Sequence, residues 1–261
     1  MEPPAQPDPV LVTGGTGTLG RAVVAELAAR GVPARVMSRT AAPGVPGRVV
    51  GDLASGAGLD AAVAGVRAVI HCATDPRHAQ QVDVDGTGLL LTALQRSAPE
   101  AHLVLVSIVG CDANRLGYYR RKHEMELLVR GSPAPSSLVR ATQFHPLLAT
   151  VSRLLTLGPL GLAVRGLRFQ PCDPAWVASH LVRVALGPPL PARLDLAGPE
   201  VLPLAQAVRL TARAAGHRAP LVVTLPGWGR VWRGFAAGSN LPGPDAVTGG
   251  STYAAWLARR H

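Results

Sequence analysis

Apolar and polar residues follow two periods along the first two-thirds of the chain. Val10–Thr13, Ala34–Ser38, Arg48–Val50, Ala68–Cys72 and Leu138–Ala141 are short apolar or β-branched runs, and Leu103–Val109 (L-V-L-V-S-I-V) is the strongest. Between them lie stretches with helical period: Arg21–Arg30, closed by Gly31 just past its last turn, then 59–65, 79–97 and 117–130. Wholly apolar strands separated by helices predict a parallel sheet covered on both faces, a doubly wound Rossmann-type α/β fold. Beyond residue 145 the pattern loosens and proline and glycine increase. There Pro174–Leu186 and Leu204–Ala215 read as helices and Arg193–Leu196 as a strand. The reading divides the chain into a Rossmann core (10–145 plus 174–198), a smaller C-terminal substrate lobe (146–173 and 199–261) and a flexible tail (1–9).

Composition narrows the class. Among 261 residues, 48% are hydrophobic and 16% charged, which excludes a disordered chain. No apolar run reaches the roughly 18 residues of a membrane span, so no membrane partner is expected. Met1–Pro9 has neither the basic nor the apolar region of a signal peptide. Cys72, Cys111 and Cys172 are far apart without a C-x-x-C, and they read as reduced thiols of a cytoplasmic protein. No histidine or cysteine cluster has metal-ligand spacing. The net charge is +10, from 26 basic and 16 acidic residues, and every basic residue except Lys122 is arginine. The arginines are scattered rather than clustered with aromatics, so nucleic acid is not the expected partner. A single lysine in such a chain marks a place where arginine does not serve.

Two constellations carry chemistry. Val10-Leu11-Val12 runs into Thr13-Gly14-Gly15-Thr16-Gly17-Thr18-Leu19-Gly20, and a helix follows. Glycines in this spacing permit the sharp turn and close backbone approach to a pyrophosphate, whose charge meets the helix N-terminus. Gly14, Thr16, Gly17, Thr18, Leu19 and Gly20 are therefore the candidate cofactor contacts. The second strand ends Met37-Ser38-Arg39-Thr40, with no carboxylate for a ribose 2′-hydroxyl. Arg39 suits a 2′-phosphate instead, which favours NADP(H) over NAD(H).

The second constellation is Tyr118 and Lys122, four residues apart in a predicted helix and so on one face. A phenol is a poor acid–base group at neutral pH, and a nearby cation favours its phenolate. Tyr119 is the fallback phenol. Ser107, at the end of the strongest strand, is a second candidate donor to the same substrate oxygen. Trp176, Trp228, Trp232 and Phe235 of the lobe are expected to pack a core more readily than to line a pocket.

On these residues the chain resembles the short-chain dehydrogenase/reductase superfamily, and within it the atypical, NmrA-like NAD(P)-binding group. The motifs are Thr13-Gly14-x-x-Gly17-x-x-Gly20, Gly51-Asp52-Leu53, Val69-Ile70-His71-Cys72-Ala73, Val106-Ser107-Ile108-Val109-Gly110, Tyr118-x-x-x-Lys122, and Leu138 through His145. The resemblance implies that Asp52 and Leu53 contact the adenine, and that Ala73 and Thr74 line the cofactor. It gives Lys122 the nicotinamide ribose, Tyr118 the general acid, and Gln143, Phe144 and His145 places by the nicotinamide and substrate. The Ser107–Tyr118 interval is shorter than the superfamily's. The expected activity is NADPH-dependent reduction of a ketone, quinone or similar small-molecule carbonyl. An epimerase or dehydratase using bound cofactor, and a non-catalytic NADP(H)-sensing regulator, stay open beside it. Helices flanking Tyr118 offer a surface for a homodimer.

Overall fold

The computed structural model describes residues 8–40, 44–45 and 47–260. Of the expected tail, only Asp8 and Pro9 fall within that range. The chain opens with β1 (Val10–Thr13), α1 (Thr18–Ala29), β2 (Ala34–Ser38), β3 (Arg48–Val50), α2 (Leu59–Val63) and β4 (Ala68–His71). A π-helical segment, Gln80–Asp85, runs directly into α3 (Gly86–Ser97), and β5 (His102–Ile108), α4 (Gly117–Arg130) and β6 (Ser136–Ala141) follow. Next come α5 (His145–Leu154), β7 (Thr156–Leu157), β8 (Leu160–Val164), β9 (Arg168–Phe169), α6 (Pro174–Leu186) and β10 (Leu194–Ala197). The chain ends through β11 (Leu202–Pro203), α7 (Leu204–Ala214), β12 (Leu221–Leu225), α8 (Gly229–Ala236), β13 (Val247–Thr248) and α9 (Tyr253–Ala258).

Eight strands form one sheet in the order β13-β10-β6-β5-β4-β1-β2-β3. β1 pairs in parallel with both β2 and β4, so the strand order reverses at its two sides. That reversal is the switch point of a doubly wound sheet, and the glycine-rich turn leaves its carboxyl end. The expected fold is therefore the observed one.

By compactness the chain divides into two units. Among the described residues, unit 1 comprises those of 8–106, 121–139 and 178–193. Its core joins Leu11, Val69, Leu103 and Leu105 of the strands to Leu90 and Leu94 of α3 and Met125 of α4. Unit 2 comprises 107–120, 140–177 and 194–261. Its core gathers Leu148, Leu204, Val208, Tyr253, Trp256 and Leu257 around α5, α7 and α9. Residues 107–120, the end of β5 and the loop into α4, belong with this second unit, and Asn114 Nδ2 donates to Ser239 Oγ at 2.7 Å within it. A three-stranded sheet, β12-β8-β7, also lies here, and the loose sequence pattern does not predict it.

Candidate functional site

The glycine-rich turn is built from close backbone packing. Gly14 has φ +64°, and a Cβ there would come within 2.7 Å of the Ala73 backbone. At Gly20 a Cβ would meet Gly14 O at 2.2 Å, so both positions exclude any side chain. Gly17 differs. A Cβ there meets only Gly14 O at 3.2 Å, so internal packing alone does not demand glycine. It stands at the N-cap of α1, which has no side-chain cap and no acidic residue in its first turn. The first amides of a helix are left without intrahelical partners and attract an anion. Arg21 Nη1 donates to Thr16 O at 2.7 Å and braces the turn, leaving Thr16 and Thr18 exposed while Leu19 is buried. A pyrophosphate fits this cradle. Arg39 is exposed at the end of β2.

Behind the turn, unit 1 holds a buried polar chain whose directions can be assigned. Thr13 Oγ1 accepts from Ala73 N at 3.3 Å and lies 2.6 Å from His71 Nδ1, to which it donates because the neutral ring carries its proton on the other nitrogen. His71 Nε2 lies 3.1 Å from Thr87 Oγ1, which itself donates to Asp83 O, so Nε2 carries the ring proton. Burial, helped by the Lys122 charge, pushes the His71 pKa down to about 3, and the ring is neutral. The Asp83 carboxylate, fully buried, accepts from Thr74 Oγ1 at 2.6 Å and from Asp75 N at 3.1 Å. It also faces Lys122 Nζ at 3.3 Å. Lys122, with a side chain only 4% exposed, donates further to Val106 O at 3.1 Å. The compact ammonium is thus held between a carboxylate and a strand carbonyl. Burial drives the nearby Cys72 thiol up to about 12 despite that cation, so it is protonated and inert.

Sequence reasoning missed Asp83. The expected single helix at 79–97 is instead a π-helical segment followed by α3, and the carboxylate sits in the π segment. A signal was present: residues 83, 87, 90 and 94 share one helical face, and Asp83 is the one charge among Thr87, Leu90 and Leu94.

The other predicted residues of unit 1 have structural partners. Asp52 accepts from Ala54 N and Ser55 Oγ, both at 3.0 Å, and shapes the 52–57 turn. The Leu53 side chain packs in the unit 1 core.

In unit 2, Tyr118 is half-buried and Tyr119 buried. Gln143 Nε2 donates to Tyr119 Oη at 3.2 Å, while Gln143 Oε1 is buried with no partner among the described residues. Burial raises the Tyr119 pKa, and the Gln143 hydrogen bond acts the other way. Phe235 of α8 packs edge-on against Tyr119 at 5.8 Å between ring centroids, and Trp232 lies 6.2 Å beyond Phe235. Ser107 is buried with Oγ 3.7 Å from Cys111 Sγ. Phe144 is half-buried at the N-cap of α5. His145 is enclosed rather than open: its ring packs on Tyr253 and Trp256, each at 5.5 Å, and Nε2 meets Ser251 O at 3.0 Å. The structure thus brings Lys122 and Thr74 to Asp83 in unit 1 and Gln143 to Tyr119 in unit 2, while Ala73 N meets Thr13 and Ser107 meets Cys111.

A switch-point glycine turn over an uncapped helix defines a dinucleotide-binding Rossmann protein. The family model for NAD(P)H-binding proteins matches residues 14–146, just over half of the chain. The chain belongs to this NAD(P)H-binding family. Comparison with curated proteins finds no match. Among solved structures, it is similar to an NADPH-dependent quinone oxidoreductase from Escherichia coli complexed with NADPH, with TM-score 0.78, 17% identity, and 96% of this chain and 99% of that one covered. A nucleoside-diphosphate-sugar epimerase from Staphylococcus aureus gives 0.74 at 15% identity, covering 96% and 99%. A short-chain dehydrogenase/reductase superfamily protein from Agrobacterium tumefaciens with bound NAD gives 0.70 at 20% identity, covering 96% and 97%. At these identities the likeness is one of fold.

Proposed function

We propose that the protein is an NADPH-dependent reductase of a small-molecule carbonyl, a ketone or a quinone, of the atypical NmrA-like kind. The observation that carries this reading is the placement of the only lysine: Lys122 is buried at the i+4 position from Tyr118 on α4, its ammonium fixed by Asp83 and Val106 O. Gly14, Gly17, Gly20 and the α1 N-terminus would hold the pyrophosphate, and Arg39 the 2′-phosphate. A bound nicotinamide supplies a hydride. Tyr118 delivers the proton to the carbonyl oxygen from its hydroxyl. Lys122 favours the phenolate that remains, by the positive end of an ion pair rather than as a bare cation. Gln143, with one unsatisfied oxygen, is suited to accept a hydrogen bond from cofactor or substrate.

NADPH and NADH oxidation against a panel of quinones and ketones tests the reading. Tyr118→Phe is expected to lower turnover by about 10²–10⁴-fold with cofactor binding retained. Unchanged turnover would remove Tyr118 from the chemistry. Cofactor retained through purification without net consumption would favour the epimerase or dehydratase reading. Tight binding without turnover on any substrate would favour the regulator, which the burial of Ser107 against Cys111 also suits.

A further inference from the structure

Unit 2 carries an apolar surface that no described part of the chain covers. In its three-stranded sheet Leu221 stands opposite Leu160 and Val223 opposite Leu162, and Leu157 faces Leu160 across the β7–β8 hairpin. Alternate residues of a strand share a face. Gly161 and Ala163 turn inward, toward Val208 and the unit 2 core. Leu157, Leu160 and Leu221 are 70%, 50% and 69% exposed, and Leu162, Val223 and Leu225 are exposed alongside them. Just past β12, Trp228 is 81% exposed, and α8 buries none of its residues. Trp232 joins the patch through Gly227, which sits between it and Val164. The expectation that these tryptophans pack a core is therefore corrected: Trp228 and Trp232 are both exposed.

The charge around this face has one sign. Arg165 follows β8, Arg218 precedes β12, and Arg230 and Arg233 stand on α8, all exposed. No aspartate or glutamate occurs in 146–172 or in 201–244. Pairing with a second copy through this face would set each arginine field against its own image. A layer of acidic headgroups over hydrocarbon matches both the charge and the apolar side chains, and tryptophan favours that boundary.

We propose that the outer face of β8 and β12, with Trp228 and its bordering arginines, docks on an anionic lipid surface. The leucines and Trp228 enter the headgroup–acyl boundary, and the arginines meet lipid phosphates. No helix among the described residues is long and apolar enough to cross a membrane, so the attachment is peripheral. The sequence, read for spans alone, pointed away from a membrane partner. This inference stands independently of the reductase reading.

Cosedimentation of the full chain with phosphatidylcholine vesicles, and with equimolar phosphatidylcholine–phosphatidylglycerol vesicles, tests it, with tryptophan emission read in parallel. Expected are binding to the anionic vesicles, a blue shift, and at least about tenfold weaker partitioning at high salt. Leu221→Glu and Trp228→Ala should each weaken partitioning by about tenfold. Both positions are solvent-facing, and thermal unfolding midpoints check that the variants fold. No vesicle binding, or equal binding to neutral and anionic vesicles, overturns the proposal. So does a concentration-dependent dimer that Leu221→Glu dissociates, which would assign the face to a second copy.

Discussion

Two buried polar groups, one in each unit, are completed to different degrees. In unit 1, Thr13, His71, Thr87, Asp83, Thr74 and Lys122 form a chain in which each hydroxyl or ring nitrogen has a defined donor or acceptor role. In unit 2, Gln143 has its amide nitrogen satisfied by Tyr119, while its oxygen is buried with no partner among the described residues. A completed network fixes geometry before anything binds, whereas an unfinished one leaves atoms for a ligand. The Asp83–Lys122 chain is complete in itself, whereas Gln143 keeps one acceptor open.

The largest expected effect probes the completeness of the first network through pH. His71 is held neutral, its pKa about 3 against an ordinary 6.5. Because the folded value is depressed, the stabilisation is whole above pH 6.5 and is lost as pH falls toward 3. Integrated over that window, the loss is about 5 kcal/mol. Urea unfolding across this range should therefore show a steeper decline for wild type than for His71→Gln, by about 1.4 kcal/mol per pH unit. Parallel slopes would mean that the imidazole is not locked in its neutral form.

Next in size is the ion pair. Asp83→Ala removes the carboxylate facing a buried ammonium, and such losses run about 3–5 kcal/mol. Asp83→Asn keeps an acceptor for Asp75 N and should be milder than Asp83→Ala. Chemical denaturation of the two variants ranks them, and a loss under about 1 kcal/mol for Asp83→Ala would show that the pair does not hold the network.

How far the sequence carried this picture depends on period and on partners. The central strands, α1, α4 and α6 were readable because fully buried strands are apolar throughout and their helices keep a clear face. The glycine turn was readable because Gly14 and Gly20 have no steric alternative. β8 and β12 were not, since L-G-L-A-V and L-V-V-T-L carry exposed leucines where a half-buried strand would place polar residues. Asp83 was hidden because a carboxylate on a helix usually faces water, and only its partner, 39 positions along the chain, explains its burial. His145 is a neighbour of the site in sequence but lies inside the unit 2 core, which no local pattern reveals.

The smallest effect sharpens the contrast most directly, because it removes one hydroxyl from each unit. Thr87 Oγ1 both receives His71 Nε2–H and donates to Asp83 O, a helix carbonyl with a backbone donor of its own, so Thr87→Val strands the His71 donor in the interior. One unsatisfied buried donor predicts a loss of about 1–3 kcal/mol. Tyr119→Phe removes only the oxygen that accepts from Gln143 Nε2, and the remaining ring keeps its packing on Phe235. The amide of Gln143 already tolerates one unpaired atom and can turn over, so about 1 kcal/mol or less is expected. Paired denaturation curves measure both. If Tyr119→Phe proved as damaging as Thr87→Val, the Gln143–Tyr119 contact would be a finished structural element, and the contrast between the two buried groups would fail.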